Sequence, residues 1–134
     1  MAREATVPAP GGDPDGIAFV VDDDCAVAEA LARLIRSAGH DVETFPSTRA
    51  FLDRFSGCPH GCLVLDINMP EMSGHALHHE LRERGWDIPV IYVTGHAFPG
   101  GSAAARDAGA QALFLKPVEP ERFLEELTSA LGHD

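Results

Sequence analysis

Five short strand-like runs, each followed by a segment with helical periodicity, constrain this chain more than any other feature. The runs are Ile17–Val21, Asp41–Phe45, Cys62–Ile67, Ile88–Thr94 and Ala112–Lys116. All but the second are nearly continuous in apolar residues, as expected of strands covered on both faces. After the first, Val27, Ala30, Leu31, Leu34, Ile35 and Ala38 recur at i, i+3, i+4, i+7, i+8 and i+11, which predicts one apolar helical face with Gly39 as its stop. Ser47 can cap a helix bearing Phe51, Leu52 and Phe55. A third helix carries Leu77 and Leu81 and ends near Gly85. An Ala-rich fourth spans Ser102 to Ala108, and Pro120 opens a fifth with Phe123, Leu124, Leu127 and Leu131. Strand–helix alternation leads to a parallel sheet with helices on both faces, and right-handed crossovers leave few topologies. The expectation is a doubly wound, five-stranded α/β domain over residues 17–134. Residues 1–16, with three Pro and three Gly, read as a flexible N-terminal tail.

Composition narrows the function. Ten basic against twenty-one acidic residues give a net charge of −11, which disfavours direct nucleic-acid binding and anionic membranes. No apolar run approaches ~18 residues, so no membrane span is expected. Three cysteines in a chain of 134 residues suggest a reducing, cytoplasmic setting. Nine of the ten basic residues are Arg; Lys116 is the only lysine.

In an open parallel sheet, ligands bind beyond the carboxyl ends of the strands. The first strand ends in Asp22-Asp23, the third carries Asp66, the fourth ends in Thr94 and the fifth in Lys116. Carboxylates 4 Å apart repel by about 4 kcal/mol at an effective dielectric of 20, so either their pKa values separate or a cation joins them. Oxygen ligands with room for water suit Mg²⁺. With a lysine and a hydroxyl alongside, the set is suited to stabilising a transferred phosphoryl group, and a central carboxylate could be the nucleophile. Asp22-Asp23-Asp24 could alternatively be a solvated helix start, since acids favour helix N-termini.

These motifs resemble the receiver domains of two-component response regulators, within the CheY-like superfamily and closest to the FixJ type. The residues that carry the resemblance are VVDDD at 20–24, LVLDINMP at 63–70, MSG at 72–74, PVIYVTGH at 89–96 and LKP at 115–117. The resemblance implies a (βα)5 flavodoxin-like fold with strand order 2-1-3-4-5. It implies Asp66 as phosphoacceptor and modified residue, with Asp23, Asp66 and the Asn68 carbonyl as Mg²⁺ ligands and Asp22 holding the metal's waters. Lys116 would pair with Asp66 and then with the phosphoryl oxygens, and Thr94 would be the switch hydroxyl. The Lys116–Pro117 bond would be cis. The implied partners are a sensor histidine kinase or phosphotransfer protein and a downstream protein partner or output domain, with a homodimer through the fourth helix, fifth strand and fifth helix also among the expectations. The activity would be self-phosphorylation and self-dephosphorylation of a switch rather than enzymatic turnover.

Two readings stand as alternatives. One is a Mg²⁺-dependent hydrolase with an aspartyl-phosphate intermediate, which in haloacid dehalogenase-type enzymes needs an acid where this chain has Asn68. The other is a binding module that no longer takes a phosphoryl group. The chain departs from the receiver pattern at Leu113, where an aromatic is usual three residues before the lysine; Phe114 next to it should face the other side of the sheet. Ala97-Phe98-Pro99-Gly100-Gly101 departs too, and predicts a shortened fourth helix. Cys58-Pro-His60-Gly-Cys62 lacks a fourth ligand for a zinc site. His75, His78 and His79 read as a polar helix face.

Overall fold

The computed structural model describes residues 17–55, 57, 60–67, 74–96 and 100–131. Residues 1–16, expected to form the N-terminal tail, and residues 56, 58–59, 68–73, 97–99 and 132–134, Cys58 and Asn68 among them, lie outside them. The elements alternate without exception: β1 (Ile17–Val21), α1 (Cys25–Ser37), β2 (Asp41–Phe45), α2 (Thr48–Arg54), β3 (Cys62–Asp66), α3 (Gly74–Glu83), β4 (Val90–Thr94), α4 (Gly101–Asp107), β5 (Ala112–Leu115) and α5 (Pro120–Ala130). The strands form one parallel sheet in the order β2-β1-β3-β4-β5. The expected fold is therefore present.

Period-two alternation divides each strand between two cores. Phe19, Val21, Leu63, Leu65 and Tyr92 face α2, α3 and α4, together with Phe51, Leu77, Leu81 and Ala105. Ala18, Val20, Val64, Ile91 and Val93 face α1 and α5, with Leu31, Ile35, Phe123 and Leu127. Leu113 packs with the first core and Phe114 with the second, as the one-residue offset requires. Phe114 stacks edge-on against Phe123, with ring centroids 5.6 Å apart.

Some details differ from expectation. The α1 face buries Ala28, Leu31, Ala32 and Ile35, while Ala30 is exposed and Val27 and Leu34 are half-buried. The buried stripe is thus rotated toward Ala28 and Ala32. β4 begins at Val90 rather than Ile88, because Pro89 has no N–H to give a ladder; its carbonyl still accepts from Leu63 N at 2.9 Å. β5 ends at Leu115, so Lys116 lies just past the strand. The fourth helix is short, seven residues, and opens on Gly100 and Gly101, both at positive φ.

Capping matches the sequence. Ser47 accepts from Ala50 N at 3.0 Å, and Glu119 accepts from Arg122 N at 3.0 Å before Pro120.

Candidate functional site

Four elements end at one edge of the sheet and deliver the polar side chains there. β1 stops at Val21, and Asp22 follows it into a buried position, 2% exposed. Its backbone N–H still bonds Phe45 O of β2 at 3.1 Å, which extends the sheet by one rung and aims the carboxylate over the edge. Asp66 is the last residue of β3, 5% exposed, and Thr94 the last of β4, 1% exposed. Lys116 N bonds Thr94 O at 2.8 Å, so the lysine is placed by the same ladder.

The three consecutive aspartates do three different things. Asp22 Oδ1 accepts from Asp24 N at 2.9 Å, and its Oδ2 accepts from Lys116 Nζ at 2.8 Å. Asp23 is exposed, yet an oxygen of Asp23 lies within 4.8 Å of oxygens of both Asp22 and Asp66. Asp24 caps α1, accepting from Ala26 N at 3.0 Å and Val27 N at 3.3 Å. The helix-start reading of this run thus holds for Asp24, while Asp22 and Asp23 converge with Asp66 into a group that could hold a metal ion.

Lys116 Nζ lies 3.4 Å from Asp66 Oδ2, farther than its 2.8 Å contact with Asp22. The expected pairing with Asp66 is present, but the shorter bond goes to Asp22. Partial burial alone would lower the lysine's pKa. The hydrogen bond and charge of Asp22, and then those of Asp66, outweigh it and hold the ammonium above its ordinary range. The amine is therefore a permanent cation at neutral pH. Thr94 Oγ1 accepts from His96 N at 3.1 Å, and the Lys116–Pro117 peptide is cis.

Three convergent carboxylates faced by one ammonium carry an excess of negative charge in a largely buried pocket. Hard oxygen donors of this kind fit a divalent cation such as Mg²⁺, so the residues present suit the expected metal. Asn68, expected to add a carbonyl ligand, lies outside the described residues. Beside the pocket runs an apolar groove of about 510 Å³, lined by Val27, Leu31, Leu34, Val93, Pro117 and Val118 among others, with Lys116 in its wall.

One expectation is overturned on α3. His78 does not lie on a polar face. It is buried, and its Nδ1 is 2.7 Å from the Tyr92 hydroxyl, because the helix turns it inward next to Leu77. His79 is exposed, 3.8 Å from Glu83. Sequence reasoning missed this pair. The available signal was Tyr92 itself, a hydroxyl in the middle of a fully buried strand, which calls for a polar partner.

Comparison with known proteins agrees with the geometry. Residues 18–128 match the family described as Response regulator receiver domain. The chain is 41% identical over 119 residues to the response regulator protein TodT of Pseudomonas putida, covering 89% of this chain and 52% of TodT. The structure of the response regulator StyR superposes with a TM-score of 0.79 at 40% identity, over 87% of this chain and 59% of StyR. FixJ-N superposes with a TM-score of 0.78 at 33% identity, over 88% and 94%. The chain spans about half the length of the TodT protein it matches.

Proposed function

The chain belongs to the response regulator receiver domains, and on that premise we propose that Asp66 is its phosphoacceptor, in a switch charged by a histidine kinase or phosphotransfer protein. The observation that carries this reading is the convergence of Asp22, Asp23, Asp66 and Lys116 at one sheet edge. An Asp66 carboxylate oxygen attacks the phosphorus of a phosphohistidine. The P–N bond breaks, its electron pair goes to the imidazole nitrogen, and an acyl phosphate forms on Asp66. Asp23 and Asp66, with the Asn68 carbonyl, would hold Mg²⁺ and Asp22 the metal's waters, and the ion would supply charge neutralisation on the transferred group. Lys116, already between Asp22 and Asp66, follows the new phosphoryl oxygens. Thr94 Oγ1, now bonded by His96 N, turns to donate to them.

The apolar groove with Lys116 in its wall would be the surface against which a phosphodonor protein rests, the lysine linking that groove to Asp66. Downstream output runs through protein contacts or an attached output domain, and a homodimer through α4, β5 and α5 belongs to the same reading. Leu115, 56% exposed at the end of β5, supports such a contact. Free Cys25 and Cys62 accord with a cytoplasmic setting. The switch resets by hydrolysis and does not turn over substrate as a phosphatase does. No helix among the described residues is long and apolar enough to cross a membrane.

The test is intact mass after incubation with acetyl phosphate and Mg²⁺. One added phosphoryl group in the wild type, absent from Asp66→Asn, is the expected result. A gain that survives the substitution would move the acceptor elsewhere. Many product molecules released per chain from small phosphomonoesters would favour the hydrolase alternative.

A further inference from the structure

The buried pair on α3 and β4 lies outside the phosphoryl-transfer chemistry, yet it shares a strand with the switch hydroxyl. Tyr92 is the largest fully buried side chain of the described residues. It stands between Leu65 of β3 and Leu113 of β5 in the register of the sheet. It is two residues before Thr94, so both side chains project from the same face of β4, about 7 Å apart along it. His78 and Tyr92 meet edge-to-face, with ring centroids 5.6 Å apart and planes at 89°.

α3 is also tied to the far end of α4. Arg82 Nη2 donates to the Ala108 carbonyl. The turn that follows α4 passes so close that a Cβ on Gly109 would collide with the Arg82 guanidinium and touch His78 Cε1. Gly109, at φ +101°, is what lets the turn lie there. Thus His78 and Arg82, one helical turn apart on α3, grip β4 and the α4–β5 turn respectively.

We propose that the His78–Tyr92 hydrogen bond couples the state of the Asp66–Thr94 site to α3 and the α4–β5 turn, giving this receiver an output through its α3–α4 face. The inference rests on the phosphoacceptor reading above. The coupling follows from packing. A close-packed core does not absorb displacement of a large ring by small voids. A buried hydroxyl also cannot leave its partner without full desolvation cost. When the end of β4 shifts as Thr94 turns toward a phosphoryl group, Tyr92 carries His78 and α3 with it, and Arg82 passes the shift to the turn. His78 and Tyr92 act here as positioning residues.

The test compares amide spectra of the full chain with Mg²⁺ alone and with added beryllofluoride, an acyl-phosphate mimic. Wild type should shift at Thr94 and also over residues 76–83 and 104–111. Tyr92→Phe keeps the ring and removes the hydroxyl. It should retain the Thr94 shift and lose about half or more of the α3 and turn shifts. His78→Leu should behave likewise, and His78→Gln, whose amide can still bond the hydroxyl, should restore them. Equal α3 and turn shifts in wild type, Tyr92→Phe and His78→Leu would overturn the inference and leave the phosphoacceptor reading standing. Absence of any beryllofluoride response in wild type would overturn both.

Discussion

The Lys116 ammonium is 2.8 Å from the Asp22 carboxylate and 3.4 Å from that of Asp66. The sole lysine is thus held mainly by a residue that is not the proposed acceptor. Asp22 thereby parks the cation within ion-pair reach of the proposed acceptor.

Removal of that cation should have two opposite effects. Lys116→Ala takes a positive charge out of an acidic cluster, so Mg²⁺ should bind several-fold tighter, as read by calorimetry. The same variant should take up little or no phosphoryl group from acetyl phosphate, as read by intact mass. Weaker Mg²⁺ binding in Lys116→Ala would contradict the electrostatic account.

The three aspartates should separate by experiment. Asp24→Ala removes the α1 cap and should cost about 1 kcal/mol of stability while leaving the response to Mg²⁺ intact. Asp23→Ala, at an exposed position, should barely alter stability without metal and should abolish most of the Mg²⁺ effect. That effect on the wild type should be a rise in melting midpoint, since a ligand at 100 times its Kd stabilises by about 2.7 kcal/mol. Stripping the metal with a chelator should reverse the rise.

Alkaline pH should destabilise the fold through two buried protons. Burial pushes the Cys62 thiol from 9.0 up to about 12. Burial also raises the Tyr92 phenol, with Arg82 opposing it. In both, the folded state holds the proton more tightly than the unfolded state. The Cys62 contribution is therefore full below about pH 9 and is lost as pH rises toward 12, and the Tyr92 contribution is likewise lost as pH rises above the ordinary phenol range. Tyr92 is the only tyrosine, so tyrosinate absorbance reports it alone and should lag behind that of the unfolded chain. Cys62 should resist alkylation at mildly alkaline pH while exposed Cys25 reacts.

Phe51 anchors an aromatic cluster, with ring centroids 5.9 Å from Phe19, 5.3 Å from Phe45 and 5.4 Å from Phe55. Phe51→Ala should cost about 3–5 kcal/mol in denaturant unfolding and lower the response to Mg²⁺ only through loss of folded protein.

The sheet and the acidic site were legible for one reason. Asp22, Asp66, Thr94 and Lys116 close apolar runs, so locating the strands located the site. The resemblance added strand order, which runs alone do not determine. What escaped was set by rotation and by long-range contact. The α1 stripe offers apolar residues around much of its circumference, so Ala28 and Ala30 compete for the core in sequence and only packing decides. The preference of Lys116 for Asp22 depends on side-chain placement across 94 positions of chain. His78 looked polar because its partner sits 14 residues away on another element.

The order β2-β1-β3-β4-β5 puts the anions and the cation of the pocket on unequal footing. Asp22 and Asp66 hang from interior strands, whereas Lys116 follows β5, which is paired along one side only. Margins of a sheet loosen before its middle does. Fraying at that margin withdraws the ammonium while the carboxylates stay clustered, so the domain can shed its built-in counterion, and demand an external one, without unfolding.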